Sequence, residues 1–397
     1  MKPECFCIVP FVSLYRFHDN NIYPCPVMAS YPEMRLTSAD NTLSGAWYSE
    51  KFVQFKKDML EGKTNSICSK RCLQHVNSCR TYFGEELLPY VKDEIELFEQ
   101  TGKQEFKLLS NDIFDSNKCN LKCVYCNADY SFLHSKTYAL KSAQGWNSFT
   151  TEYSSYYKDL KELWLASGES VLQHKYHYIL KTLLANNKKD VHINFITNMT
   201  SLGSPNMYDL LAKFDRVTVF VSVDGNKQVT EFLRQNSNYE NIISNLKTVM
   251  SYNKFKIILQ PVMSNINILY FPQFHYEMVK LGLLKKDNVR YYILNTPMHF
   301  NIKVLSETLK NKVLAEYERY IKWLLEEKSI DTSANNEHPV IKVQKMLEYM
   351  QKGKLRPEWF GALYTFLVEN DLINNFKEAF PELQELYYAS KIHATKN

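Results

Sequence analysis

From Phe106 onward, short apolar runs alternate with amphipathic stretches of helical period, and this alternation constrains the fold more than any other feature of the chain. The apolar runs are 106–114, 162–166, 191–197, 216–223, 256–264 and 289–294; segments 172–186, 206–214, 240–252 and 274–283 carry apolar residues at helical spacing. Six strands separated by helices predict an α/β fold with a parallel sheet, because a parallel neighbour is reached only through a crossover connection. Such a unit can curl into a partial (β/α)6 barrel. Its chemistry then belongs at the carboxyl ends of the strands, where the loops converge.

The flanks divide the chain. Residues 1–105 are cysteine-rich and irregular, closing in a helix around 87–100, residues 106–297 carry the alternation, and 298–397 read as a helical C-terminal extension. Within that extension 307–328 is a long amphipathic helix, and 335–397 reads as further helices interrupted by Pro339, Pro357 and Pro381. The apolar run 8–15 is about as long as a signal-peptide core, yet it contains Pro10, lacks a small-residue cleavage site and follows two cysteines. It reads as a buried strand in a cytoplasmic protein with no membrane partner. A net charge of +5, from 48 basic and 43 acidic residues spread evenly, does not indicate nucleic-acid binding, while a phosphate-bearing substrate stays compatible with it.

All nine cysteines fall at or before Cys126. An odd number with no secretory signal favours metal or iron-sulfur ligation in a reducing compartment over disulfides. Cys119-Asn-Leu-Lys-Cys123-Val-Tyr-Cys126 follows the first strand of the alternating unit directly. Three thiolates so spaced can hold three corners of a cubane 4Fe-4S cluster, which leaves the fourth iron with no protein ligand. The alternative is a structural zinc site in which His134 supplies the fourth ligand.

With the segments that follow the later strands, this run resembles the radical SAM superfamily over roughly residues 106–295. The resemblance implies a partial radical SAM barrel in which Cys119, Cys123 and Cys126 hold the catalytic cluster. S-adenosylmethionine would bind the open iron and split to a 5′-deoxyadenosyl radical that abstracts a hydrogen atom from substrate. Tyr125 puts an aromatic beside the adenine, with Asn127 adjoining the same site. Ser167-Gly168-Glu169-Ser170 is similar to the family's Gly-Gly-Glu-Pro segment, so Ser167 and Gly168 would offer backbone groups and Glu169 would take the methionyl ammonium. Thr197-Asn198 and Ser222-Val223-Asp224-Gly225 resemble the family's Thr-Asn-Gly and Ser-x-Asp-Gly strand ends. By that resemblance Asn198 and Ser222 face the cofactor's ribose and carboxylate, Asp224 belongs to the same cofactor-binding set, Arg234 meets the cofactor carboxylate, and Asn267 lies near the ribose.

In the N-terminal third, Cys7 and Cys25 flank a hairpin turning at Asp19-Asn20-Asn21, and Cys68 and Cys72 stand about one helical turn apart. The set resembles the twitch or SPASM auxiliary-cluster domain, placed before the barrel instead of after it. That implies a second 4Fe-4S cluster, with zinc as the alternative and with Cys5 and Cys79 able to replace a ligand. Enzymes of this kind modify peptides or proteins and draw electrons from an external one-electron reductant such as flavodoxin or ferredoxin; oxidation or rearrangement of a sugar or nucleotide is the alternative. A non-catalytic zinc or iron-sulfur module, or a two-cluster electron-transfer protein, would need neither Glu169 nor the polar set at the strand ends.

Overall fold

The structure, a computed structural model, describes residues 5–17, 21–68, 84–114, 116–134, 156–326, 339–352 and 357–394. The described strands, in chain order, are β1 (Tyr15–Arg16), β2 (Ile22–Tyr23), β3 (Ser110–Ile113), β4 (Lys122–Cys123), β5 (Glu162–Leu165), β6 (His192–Thr197), β7 (Val217–Val221), β8 (Arg234–Gln235), β9 (Lys256–Leu259), β10 (Val262–Met263) and β11 (Tyr292–Ile293). The largest sheet runs β2-β1-β3-β5-β6-β7-β9, and every neighbouring pair in it is parallel except the β1–β2 hairpin. β10 and β11 pair in parallel beyond its edge, where a bridge between Leu259 and Val289 continues the curl. The result is an α/β architecture with a mostly parallel sheet and a helical C-terminus, as the alternating sequence predicts.

The strands form where they do because their side chains serve two buried faces. Leu163, Leu165, Ile193, Phe195, Val219 and Leu259 point to the helix-covered face, into a core shared with the helices His174–Ala185 and Tyr239–Met250. The alternate residues Trp164, Phe220 and Ile258 point the other way and pack on Val9, Phe11, Val12, Ile95 and Phe98. The N-terminal segment therefore covers the inner face of the sheet at these three residues. The connecting helices begin at side-chain caps: Asn226 accepts from the Val229 amide at 3.1 Å and Asn238 from the Asn241 amide at 2.8 Å.

Two local expectations change. The run 8–15 is not one strand: Val9–Val12 is a short helix with Pro10 in its first turn, and the extended part is confined to β1. A proline has no N–H to give a ladder, whereas the first turn of a helix leaves that N–H unused. The same physics turns two supposed breakers into starts, since Pro339 and Pro357 open the helices Pro339–Gln351 and Pro357–Glu369. The expected turn at Asp19-Asn20 lies outside the described residues, although β1 and β2 do pair antiparallel. Among the described residues no helix is long and apolar enough to cross a membrane.

The C-terminal helices buttress the outer layer. Phe376 and Phe380 meet Phe232 edge-on at 5.9 and 4.9 Å, and Gly361 lets the helix Pro357–Glu369 approach Ala394, whose backbone nitrogen lies 3.3 Å from where a Cβ would stand.

In the N-terminal segment Lys56 is buried, with Nζ 3.6 Å above the Trp47 ring and 4.5 Å from that of Phe52, donating to Gln104 Oε1 at 3.0 Å. Gln104 in turn donates to the Phe11 carbonyl at 2.9 Å, tying this cluster to the helix under the sheet. Burial pushes the Lys56 amine down to about 6. The ring faces favour the ammonium by about 2 kcal/mol or more once desolvated, against a burial cost of several kcal/mol, and on that balance the amine is neutral at pH 7. An unfolded chain keeps that proton up to its ordinary value of 10.5, so the folded form gains stability as pH rises from about 6 toward 10.5. Chemical denaturation should show the wild type gaining up to ~1.4 kcal/mol per pH unit between pH 7 and 9 relative to Lys56→Met. Parallel profiles for the two proteins would mean that the buried amine is charged.

Candidate active site

The cysteine loop leaves the carboxyl end of β3 and is clipped at two places. β4 pairs antiparallel with β8, which sets Cys123 opposite Arg234, and the Val124 amide donates to the Leu233 carbonyl at 2.9 Å. Cys119 and Cys123 are each 8% exposed, Cys126 is half-buried, and Leu121 packs between them. Burial pushes the Cys119 thiol up to about 11 and raises those of Cys123 and Cys126. Among the described residues no three His, Cys, Asp or Glu side chains are gathered closely enough to hold a metal ion. The donor chemistry of the loop fits an iron-sulfur cluster: three soft, undisulfided thiols on one eight-residue loop, screened from water, whose thiolate charge a cationic cluster would offset. His134, which a zinc site would need, lies near the Cys123 carbonyl, and burial holds its imidazole below the usual range.

The second clip is the turn after β5. Gly168 has φ +40°, and a Cβ there would stand 2.3 Å from the Lys118 carbonyl oxygen, so only glycine lets the turn approach the residue before Cys119. That carbonyl accepts from the Glu169 amide and from Gln173 Nε2, both at 2.9 Å. The two serines of the turn explain how it holds without the family's first glycine and its proline. Ser167 is fully buried, with Oγ 3.2 Å from the Ile113 carbonyl and 2.6 Å from Tyr176 Oη, and Ser170 donates to the Leu165 carbonyl at 2.8 Å. The Ser167 side chain is thus engaged by the protein.

Glu169 is 2% exposed. Its Oε1 accepts from Thr197 Oγ1 at 2.6 Å and from the Val171 amide at 3.3 Å, and Oε2 accepts from the Asn198 amide at 2.7 Å. Burial pushes its carboxyl up to about 7 against these bonds. A carboxylate has about four acceptor positions, so room remains for one cationic donor. Asn198 braces the cysteine loop: its Nδ2 donates to Asn120 Oδ1 at 3.0 Å and lies 3.9 Å from Cys119 Sγ, while its Oδ1 accepts from the Thr200 amide at 3.0 Å.

Asp224, after β7, is fully buried at the centre of a third group. Its Oδ1 accepts from Arg234 Nη2 at 3.0 Å and from the Val262 amide at 2.8 Å; its Oδ2 lies 2.9 Å from Arg234 Nε and accepts from the Tyr125 hydroxyl at 2.5 Å. Asn267 Nδ2 donates to the Asp224 and Val262 carbonyls, each at 3.0 Å, and Asn267 Oδ1 accepts from the Ser264 amide at 2.7 Å. Arg234 and Asp224 are thereby committed to each other, and Tyr125 is anchored by its hydroxyl with its ring half-buried.

The fold brings Cys119, Cys123, Tyr125, Gly168, Glu169, Asn198, Asp224, Arg234 and Asn267 to one end of the strands. Ser222 is there too, held through its amide to the Thr197 carbonyl at 2.8 Å. Asn127 is exposed, and its Oδ1 accepts from the Asp129 amide at 3.0 Å, so it shapes the turn after the third cysteine. The N-terminal cysteines sit apart from this group. Cys7 and Cys25 border one apolar cluster, Cys25 and Cys68 border another, and Cys5 and Cys68 line a cavity of about 110 Å³ with Asp58 and Met59. Cys72 and Cys79 lie outside the described residues. Sequence reading missed the anchoring by Gln173, Tyr176 and Asn120. It also missed Gln260, which follows β9 and whose buried Oε1 has no hydrogen-bond partner; its place immediately after an apolar run was the available signal.

Residues 113–280 match the model of the Radical SAM superfamily. Among solved structures the chain is similar to native anSMEcpe with bound AdoMet, at 15% identity and a TM-score of 0.42, covering 53% of this chain and 59% of that one. It is similar as well to SuiB of Streptococcus suis bound to S-adenosylmethionine, at 16% identity and a TM-score of 0.41 over 60% of this chain and 53% of that one. With the same protein bound to its precursor peptide SuiA, the identity is 15% and the TM-score 0.40, over 69% and 60% of the two chains. The chain thus spans less than two thirds of the length of each of these structures. No curated protein matches it. The three-cysteine loop, the buried glutamate of the β5 turn and the Asp224–Arg234 group all fall within the residues that match the Radical SAM superfamily model.

Proposed function

We propose that this protein is a radical SAM enzyme that modifies a peptide or protein, with Cys119, Cys123 and Cys126 as ligands of its catalytic 4Fe-4S cluster. The observation that carries the reading is the double clamp on the cysteine loop: Gly168 and Glu169 grip the Lys118 carbonyl on one side, and β8 grips Cys123 on the other. When bound, the cluster and S-adenosylmethionine supply one-electron cleavage of the sulfonium to a 5′-deoxyadenosyl radical. The residues' part is to bind and orient. Glu169 offers its remaining acceptor position to the methionyl ammonium, Asn198 and Ser222 present polar groups at the neighbouring strand ends, and Tyr125 is held by Asp224 as an apolar wall. Because Arg234 is engaged by Asp224, it contributes positive charge beside Cys123 more than a direct grip on the cofactor.

The peptide reading draws on the resemblance of the N-terminal cysteine pattern to auxiliary-cluster domains. In it Cys7, Cys25, Cys68 and Cys72 hold a second cluster, Cys5 is a candidate replacement, and electrons arrive from an external carrier in a reducing cytoplasm. A sugar or nucleotide substrate is the alternative, separated by which class of molecule shows deuterium transfer into 5′-deoxyadenosine. A non-catalytic zinc module would yield no 5′-deoxyadenosine at all.

Replacing Cys119, Cys123 and Cys126 together with Ala should abolish 5′-deoxyadenosine formation in anaerobically reconstituted protein while leaving about four irons per chain on the N-terminal cysteines. Retained cleavage would sink the catalytic assignment, and zinc in place of the remaining iron would make the N-terminal site structural. Glu169→Gln should act on cofactor affinity. In either orientation its amide NH2 would face a backbone N–H, that of Val171 or that of Asn198, and the negative charge is lost. A lost hydrogen bond to a charged group is worth about 1.5–3 kcal/mol, so cofactor binding should weaken roughly ten- to a hundredfold by calorimetry. Unchanged affinity would place the ammonium elsewhere.

A further inference from the structure

Beside the apolar patch of Trp164, Phe220 and Ile258 that the N-terminal segment covers, the inner face of the sheet carries polar groups on β3, β5 and β6. Register sets Ser110, Glu162 and His192 side by side, and Asp112, Trp164, Asn194 and Thr218 in the next layer toward the cysteine loop. Glu162 is held by Asn194 Nδ2 at 2.9 Å and Ser110 Oγ at 3.3 Å. Asp112 is not held: its Oδ1 is buried with no hydrogen-bond partner. Leaving a buried acceptor unmade destabilises the fold, and a leucine at this position would avoid that penalty. Burial and the neighbouring Glu162 push the Asp112 carboxyl up to about 7, and burial does the same to Glu162.

The surroundings narrow what could satisfy that oxygen. Trp164 is the register partner of Asp112, its ring stacks on Phe220 at 5.3 Å, and Phe114, which directly follows β3, stacks on Phe17 at 5.4 Å with Tyr130 edge-on at 5.3 Å. Of the basic groups on this face, burial pushes His192 down to about 4, and Lys256 is exposed at the far edge opposite Thr218. Arg290 lies 5.4 Å from the Trp164 ring and 5.0 Å from that of Phe220, and donates to Tyr292 Oη at 3.2 Å. None of them bonds Asp112 Oδ1. Two adjacent carboxyls walled by aromatic faces favour a cation that also carries N–H donors.

We propose that Asp112 is a substrate-binding residue whose carboxylate receives an alkylammonium or guanidinium group of the substrate. The proposal rests on reading this face as the reaction chamber of the radical SAM domain, and it narrows the peptide reading to a segment bearing a lysine- or arginine-like side chain.

The test uses the full-length, anaerobically reconstituted protein and measures binding of N-acetyl-lysine methylamide and N-acetyl-arginine methylamide, with the norleucine and glutamate analogues as controls. At least one cationic probe should bind the wild type tenfold or more tighter than the norleucine analogue, and Asp112→Asn, which is isosteric and removes a buried charge, should erase that preference. No binding of either cationic probe, equal binding of the norleucine analogue, or an undiminished preference in Asp112→Asn overturns the proposal. Circular dichroism of Asp112→Asn separates a lost site from a lost fold, and Glu162→Gln, if Asp112→Asn does not fold, should weaken the same preference by removing the adjacent charge. Formation of 5′-deoxyadenosine by the wild type alone is read in parallel. Its absence would defeat the proposed reaction without touching the probe discrimination, so the two failures are distinguishable.

Discussion

The buried ion pair between Asp224 and Arg234 is the interaction on which the site depends. Asp224 follows β7, Arg234 opens β8, and β8 pairs with the strand that carries Cys123, so one charge pair joins the loop after β3 to the loop after β7. The Val262 amide and the Tyr125 hydroxyl complete the carboxylate, which extends the junction to β10 and back to the cysteine run. A buried pair contributes little net stability against an apolar replacement, but removing one partner strands the other charge and costs about 3–5 kcal/mol. Its role is therefore positional: the thiols and the strand ends keep one arrangement or the site comes apart.

A second constraint is steric. At Gly168 the chain passes so close to Lys118 that no side chain fits, and the carbonyl exposed by that approach is taken up by the Glu169 amide and Gln173. Charge on one side and close contact on the other leave the loop between Lys118 and Val124 little freedom. The site groups thus depend on the parallel sheet beneath them, whose ends all lie at the same level because its neighbours are paired in parallel register.

Much of this was legible in the sequence because parallel strands buried on both faces read as apolar runs, and Val217-Thr-Val-Phe-Val221 does so without ambiguity. The chemistry-bearing residues stood out because they fall directly after such runs. What was illegible was long-range. Nothing near Val9 announces that Phe11 will pack under Trp164 and Phe220, and an apolar octet with one proline suits a strand or a short helix equally well. The family resemblance places Arg234 among the cofactor-binding residues, but its commitment to Asp224 depends on bringing together two segments ten residues apart. The hydroxyls of Ser167 and Ser170 read as departures from a motif, whereas in the fold they are the ties that hold the turn.

The central claim is that the cysteine loop holds a cluster with one iron open to the cofactor. Electron paramagnetic resonance of the anaerobically reconstituted, reduced protein, recorded before and after adding S-adenosylmethionine, tests this most directly. The account predicts a reduced-cluster signal whose shape changes on addition of the cofactor in the wild type, and no cofactor-dependent change once Cys119, Cys123 and Cys126 are replaced. An iron-loaded wild type whose signal is indifferent to S-adenosylmethionine would contradict it.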